Sequence, residues 1–391
     1  MQAIRPMPPP PYPFHPPLRV LMTADTIGGV WTYALDLARG LATHGVHLLL
    51  ATLGAPVSRD QRAQLETLGD AVELHESDFK LEWMDDPWSD VTAAGDWLLS
   101  LEREFQPDVI HLNGYAHGAL PFHAPKLVVA HSCVISWWRA VKNTAPPHIW
   151  ARYHTAVRLG LDQAHLIVAP SQAMLGSLLR NYGFSCEARV IYNGRDHSAA
   201  LQPARPKQPF ILSAARLWDE AKNATTLAAA AQNLPWPVRI AGDTRAPDGS
   251  ATSFSSFPNV GLLGRRSHAD LDRDYAHASV YALPARYEPF GLSVLEAALH
   301  DCALVLGDIP SLREIWSGAA VFVPPNDASA LHDELADLIE DPLRLQALGT
   351  LARRRAAHFT VERMTDAYLD AYAALLAPTR PRTHAASVSF A

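Results

Sequence analysis

From Leu18 onward, short runs of leucine and β-branched residues alternate with longer stretches whose apolar side chains recur every three to four positions. The runs "LRVLMTAD", "VHLLLATLG", "PDVIHLNG", "KLVVAHS", "HLIVAPS" and "RVIYNG" read as strands. Between them, "YALDLARGLATHG", closed by Gly45, and residues 91–105, 148–164 and 172–182 read as helices. Apolar strands that alternate with helices predict a parallel sheet covered on both faces.

The pattern lapses around "GRDHSAALQPARPKQP", whose prolines and lack of periodicity mark a linker. A second array follows: "FILSAAR", "PVRIAGD", "NVGLLG", "VYALPAR", "CALVLGD" and "AVFVPP", again with helices between, and a helical block over 328–377 closes the chain. The expectation is an α/β protein of two doubly wound, Rossmann-like domains facing a central cleft. The first spans 18–197, a linker 198–207, the second 208–360, and 361–377 is a last helix. Residues 1–17, with seven prolines between Pro8 and Pro17, and residues 378–391 read as disordered tails.

Composition narrows the function. A length of 391 residues suits two cores. The 33 basic and 40 acidic side chains give a net charge of −7, which argues against a nucleic-acid partner. Cys133, Cys186 and Cys302 form no CxxC pair, so neither a disulfide framework nor a zinc site is expected, and a cytoplasmic location fits. No apolar run reaches the roughly 20 residues needed to span a bilayer. Peripheral membrane contact stays open.

Candidate chemistry gathers at the predicted strand ends, where open α/β sheets bind ligands. In "ARYEPFGLSVLEAALHD", Glu288, Phe290 and Gly291 occupy the turn from a strand into a helix. Leu292 and Ser293 open that helix, and Glu296 lies about one turn inside it. Free amides at a helix start attract an anion. Carboxylates supply the acceptors that a sugar diol needs. An acid early in a helix also serves the helix dipole. In "SAARLWDEAKN", Arg216 leaves a strand and Lys222 precedes a helix, a cation pair suited to a diphosphate. Gly28 and Gly29 join the first strand to the first helix and permit close approach of a phosphate or sugar, but form no dinucleotide fingerprint.

On the other wall, His131 ends a strand and is a candidate for contacting a sugar hydroxyl or moving a proton. Asn113, Trp137 and Trp138 are weaker acceptor-side candidates. His111 and His117 lack a metal-ligand spacing, and no metal site is expected.

Together these residues resemble the family-4 retaining glycosyltransferases of GT-B fold. "EPFGLSVLEA" with Glu288 and Glu296 is similar to that family's two-glutamate motif, and "ARLWDEAKN" to its donor-diphosphate segment. "VIYNGRD", Gly28-Gly29 and His131-Ser132 are supporting matches, and the likeness runs from Leu18 to Leu376. The sequence departs at Ala215, where the family usually has glycine, and at Arg195, where a small aliphatic residue often follows Asn-Gly.

The resemblance implies a donor seat. Glu296 would bind the ribose, and Glu288 the transferred sugar. Arg216 and Lys222 would hold the diphosphate, with the amides of Phe290 to Ser293 completing it. It implies Glu288, His131, Arg216 and Lys222 as the catalytic set, and the last helix crossing back to the first domain. It further implies a nucleotide-diphosphate sugar as substrate, UDP-sugar favoured over GDP-sugar, a hydroxyl acceptor, and no tightly bound cofactor. A sugar-nucleotide epimerase or hydrolase, or a non-catalytic sugar-nucleotide sensor, is the alternative.

Overall fold

The computed structural model describes residues 17–197, 206–246 and 249–377. The predicted tail 378–391, residues 1–16 of the N-terminal tail and most of the predicted linker lie outside the described residues. Seven strands form the first sheet: β1 (Arg19–Asp25), β2 (His47–Leu53), β3 (Val72–Glu76), β4 (Val109–Leu112), β5 (Lys126–Val129), β6 (Leu166–Ala169) and β7 (Glu187–Val190). Six form the second: β8 (Gln208–Ala214), β9 (Val238–Ala241), β10 (Val260–Gly264), β11 (Ala278–Leu283), β12 (Ala303–Gly307) and β13 (Val321–Val323). Their orders are β3-β2-β1-β4-β5-β6-β7 and β10-β9-β8-β11-β12-β13, with parallel pairing as in β1 against β2 and β8 against β11. This is the two-domain α/β architecture expected.

Helices cover both faces of each sheet. In β1, Val20 and Met22 pack with Trp31, Leu35 and Leu41 of the helix Gly29–Thr43, while Leu21 packs with Leu98, Tyr153 and Met174 on the opposite face. Alternation along the strand therefore feeds two cores, which is why the strand reads as continuously apolar. In the second sheet, Phe210 and Leu212 face Tyr275, Val294 and Trp316, whereas Ile211 faces Leu227 and Leu331. Burying one such side chain contributes about 1.5–3 kcal/mol.

The chain crosses between the halves at two adjacent points. Arg195 N donates to Phe359 O at 3.0 Å, and Arg195 pairs with Thr360 in an isolated parallel bridge. A Cβ on Gly194 would lie 2.1 Å from Thr360 O, so only glycine permits this approach. Beyond the crossing, the helix Val361–Leu376 packs against Gly29–Thr43 and places Met364, Tyr368 and Tyr372 in the first half's core.

Several local readings change. The helix expected from residue 91 starts at Trp88, and the stretch 148–164 divides into a 3₁₀ turn, His148–Trp150, and the helix Ala151–Gln163. The edge strand β3 and the helix Arg59–Glu66 were not foreseen. The terminal block resolves into the helices Ala328–Glu340, Pro342–Ala356 and Val361–Leu376.

Sheet order positions the site. It reverses between β1 and β4 in the first sheet and between β8 and β11 in the second. Crevices form at such points, beyond the strands' carboxyl ends. Asp25, Asn113, Arg216 and Glu288 follow or end these four strands.

Candidate active site

The glycine loop and the cation segment meet across the cleft. Gly28 precedes the helix Gly29–Thr43 with φ 122°, and a Cβ there would lie 3.7 Å from Arg216 Nη1. A Cβ on Gly29 would lie 3.6 Å from Leu292 Cδ1. The loop that leaves β1 therefore touches both the diphosphate candidate Arg216 and the mouth of the helix Leu292–Leu299.

That mouth lacks a side-chain cap. Ser58, Ser171, Ser267, Asp327 and Thr360 cap their helices with their own side chains, but Gly28 and Gly291 do not. The first amides of these two helices therefore have no side-chain acceptor, although Trp31 N donates to Gly28 O at 3.3 Å. Gly291 has φ 93°, and a Cβ there would meet Val294 Cγ2 at 3.1 Å. The Phe290 side chain is buried against Phe359, ring centroids 5.7 Å apart, so only its backbone can serve a ligand. Ser293 Oγ lies 2.8 Å from the Tyr281 hydroxyl, and Leu292 is half-buried.

Two charge pairs organise the floor. Lys222 Nζ lies 2.6 Å from Glu288 Oε2. Arg216, with 41% of its side chain exposed, donates to Asp219 Oδ2 at 3.1 Å and lies 5.3 Å from the Trp218 ring centroid. The other oxygen of Asp219 accepts from Ala221 N at 3.0 Å and from Trp137 Nε1 at 2.9 Å. Burial opposes the Asp219 charge, but Lys222, Arg216 and these donors outweigh it and hold its pKa below the ordinary value. Asp219 thus orients Arg216 and ties the second half to Trp137 of the first. Trp137 and Trp138 are both half-buried, and Trp138 Nε1 donates to Thr144 at 3.1 Å.

The Glu288 turn is braced from the first half. Cys133 N donates to the Tyr287 hydroxyl at 3.1 Å, and Ser171 Oγ donates to Pro289 O at 2.7 Å. Within the second half, Ser311 Oγ donates to Glu288 O, and Arg286 N donates to Ala221 O at 2.8 Å, which joins the Glu288 turn to the Lys222 segment.

Glu296 does not stand open. Its Oε1 accepts from Arg195 Nη2 at 2.9 Å and its Oε2 from the Tyr275 hydroxyl at 3.1 Å. Arg195 also pairs with Asp36. Beside Ala215, Gly242, with φ 138°, comes so close that a Cβ on it would lie 1.8 Å from Ala215 O.

On the first half's wall, His131 Nε2 lies 2.8 Å from Asn113 Oδ1. Asn113 Nδ2 donates to Thr23 O at 2.6 Å, which fixes the amide orientation and makes Oδ1 the acceptor. His131 therefore carries its proton on Nε2 and keeps Nδ1 as an acceptor. Burial lowers its pKa to about 3, so the ring is neutral at physiological pH. His111 lies beneath, 2.6 Å from the Tyr372 hydroxyl and 3.1 Å from that of Tyr33, and burial lowers its pKa to about 3 as well. His117 instead contacts Val91 O at 3.0 Å. Among the described residues, no group of three or more His, Cys, Asp or Glu side chains could hold a metal ion.

Four site residues lay beyond sequence reasoning: Asp25, Asp219, Asp36 and the charge-bearing role of Arg195. Asp25 accepts from Ile27 N at 2.5 Å and faces Arg216. Its position at the end of β1 was a usable signal, as was the spacing of Asp219 three residues from Arg216; the contacts of Asp219 with Trp137 and of Arg195 with Asp36 are long-range.

The model for Glycosyltransferase Family 4 matches residues 27–199, and that for Glycosyl transferases group 1 matches residues 195–355. A glycogen synthase of Mycobacterium tuberculosis is 27% identical over 282 residues; the match covers 66% of this chain and 66% of the synthase, just under two thirds of that relative's length. A D-rhamnosyltransferase of Pseudomonas aeruginosa is 23% identical over 362 residues, 85% of this chain and 88% of that protein. Among solved structures, sucrose-phosphate synthase from Thermosynechococcus elongatus superposes with a TM-score of 0.76 at 19% identity, over 92% of this chain and 99% of that one. Anabaena HepE in complex with UDP-glucose gives 0.69 at 17% identity, over 91% and 100%. The paired family models, the parallel two-sheet fold and the site at both sheet reversals lead to one conclusion: this chain belongs to the family-4 glycosyltransferases of GT-B fold.

Proposed function

We propose that the chain transfers a glycosyl group from a nucleoside-diphosphate sugar to an acceptor hydroxyl, with retention at the anomeric carbon. The observation that carries this reading is the juxtaposition of Lys222 and Glu288, 2.6 Å apart, between Arg216 and an uncapped helix mouth. A diphosphate needs clustered cations and free amides, and a transferred sugar needs acceptors for its hydroxyls. This floor supplies both.

The proposed roles follow the chemistry. Arg216 and Lys222 hold the diphosphate and stabilise charge on the departing nucleotide, with the glycine loop at Gly28 and Gly29 closing over it. The amides from Phe290 to Ser293 complete the seat. Glu288 accepts from sugar hydroxyls, and Glu296 accepts from the ribose. His131 offers Nδ1 to a hydroxyl, on the wall that carries Asn113, Trp137 and Trp138. The bond from the anomeric carbon to phosphate oxygen breaks as the bond to the acceptor oxygen forms on the same face. The acceptor's proton passes to the leaving phosphate. Cations and helix amides carry the electrostatic task, so no resident cofactor enters the scheme.

A UDP-sugar is the favoured donor, supported by the HepE complex with UDP-glucose. A GDP-sugar is the alternative, supported by a Corynebacterium glutamicum mannosyltransferase named as GDP-mannose-dependent, 30% identical over 112 residues. No helix among the described residues is long and apolar enough to cross a membrane.

The test is product analysis. Incubation with radiolabelled UDP-glucose or GDP-mannose and a panel of glycan and glycoside acceptors should give an α-linked product from an α-linked donor, resolved by the anomeric proton in NMR. A β-linked product would contradict retention. Donor turnover unaffected by any acceptor would favour a hydrolase or epimerase, and donor binding without turnover a sensor.

A further inference from the structure

We propose that Arg195 is a positioning residue for the donor's ribose, aiming the Glu296 carboxylate from the crossing point between the two halves. The inference rests on the sugar-nucleotide reading of the site and adds to it a residue that the family motif leaves as a small aliphatic.

Arg195 is 8% exposed and sits where the two crossing segments pair, its backbone N donating to Phe359 O at 3.0 Å. One terminal nitrogen reaches Glu296 Oε1 at 2.9 Å, and the other reaches Asp36, which is 3% exposed. Burial disfavours the guanidinium charge, but Glu296 and Asp36 overcome that and hold its pKa above the ordinary value. The second Glu296 oxygen takes the hydroxyl of the buried Tyr275. Both oxygens are therefore pinned by ordered donors, and the plane of the carboxylate is fixed. Each oxygen keeps a second acceptor direction, which is what a vicinal diol would use.

The fork also links the two parts of the donor seat. Asp36 belongs to the helix Gly29–Thr43, which opens with the glycine loop against Arg216. Glu296 belongs to the helix Leu292–Leu299, whose mouth would hold phosphate and sugar. A planar guanidinium can bridge two carboxylates in fixed directions, and a lysine ammonium, a single point charge, cannot reproduce that geometry. Asp36 further holds Arg39 at 2.9 Å, so it keeps a cationic partner when Arg195 is changed.

The experiment is titration calorimetry of the full chain with UDP and GDP, each beside its 2′,3′-dideoxyribose form. Wild type should prefer the diol-bearing form of one nucleotide. Arg195→Lys should lose about tenfold of that preference while the dideoxy form binds as in wild type. Asp36→Asn, which keeps Arg195 but weakens its anchor, should lose part of it and decides the question if Arg195→Lys fails to fold. A loss confined to the diol-bearing nucleotide is what a merely structural role would not produce. Retention of the full wild-type preference in the folded variants would overturn the role of Arg195 alone. A wild-type protein that binds neither nucleotide would overturn the sugar-nucleotide reading, and this inference with it.

Discussion

Lys222 and Glu288 meet at 2.6 Å, with 14% and 13% of their side chains exposed. In an enclosed site a cation held at the leaving group stabilises developing charge without reorganising at the moment of reaction. Lys222→Ala should therefore lower kcat by about two orders of magnitude and weaken donor binding as well. Steady-state kinetics check this. Near-normal turnover in the folded variant would remove Lys222 from the catalytic set.

Gly291 has a backbone that side chains resist. Its φ of 93° and the 3.1 Å separation between a built Cβ and Val294 Cγ2 both oppose substitution. Gly291→Ala should cost about 1–3 kcal/mol and weaken donor binding by displacing the helix mouth. Urea denaturation measures the first effect and calorimetry the second. An alanine variant as stable as wild type would show that the turn relaxes freely.

Buried histidines set the acid side of the stability profile. His111 and His131 are held down to about 3 from an ordinary value of 6.5, by burial in both cases. The folded chain then binds fewer protons than the unfolded chain between about pH 3 and 6.5. Their stabilisation is full above the unfolded pKa and is lost as pH falls through that window. His111→Gln, which takes up no proton, should make the acid arm shallower by about one proton's slope. Unfolding free energies at a series of pH values read this directly, and an unchanged slope would contradict the neutral state of His111.

Asp25 acts in the opposite direction. Burial pushes its carboxyl up to about 7 from 3.8, against the opposing pulls of the Ile27 N–H and Arg216. The folded chain holds this proton longer than the unfolded chain, so stability falls as pH rises from about 4 to 7 and is level above. Asp25→Asn should gain on wild type across that window and keep its advantage at pH 8. Equal or lower stability of the variant at pH 8 would contradict the raised pKa.

The parallel sheets were legible because strands buried on both faces carry unbroken apolar runs, as β1 and β11 do. β3 was not, because "VELHE" is a half-exposed edge strand with two glutamates and too little apolar contrast. The helix Arg59–Glu66 buries only Leu65, which leaves no stripe to detect. The two-glutamate turn, Arg216, Lys222 and the glycine loop were legible as residue types at strand ends. Their pairings were not. Glu288 meets Lys222 across 66 positions, and Arg195 meets Asp36 across 159, distances over which sequence spacing carries no signal. Arg195 was visible only as a departure from a pattern; its meaning needed the fold that brings the helices of Asp36 and Glu296 to one crossing.

The central claim, a nucleotide-sugar seat built on the second half, is tested most directly by donor binding. Thermal unfolding of wild type, Lys222→Ala and Glu296→Ala should be followed with UDP-, GDP-, ADP- and TDP-sugars. Ligand at about 100 times its dissociation constant adds about 2.7 kcal/mol, a rise of several degrees in Tm for domains of this size. The account predicts such a rise in wild type with one nucleotide class and its loss in both variants. No rise with any of the four in well-folded wild type, or an equal rise in both variants, would contradict it.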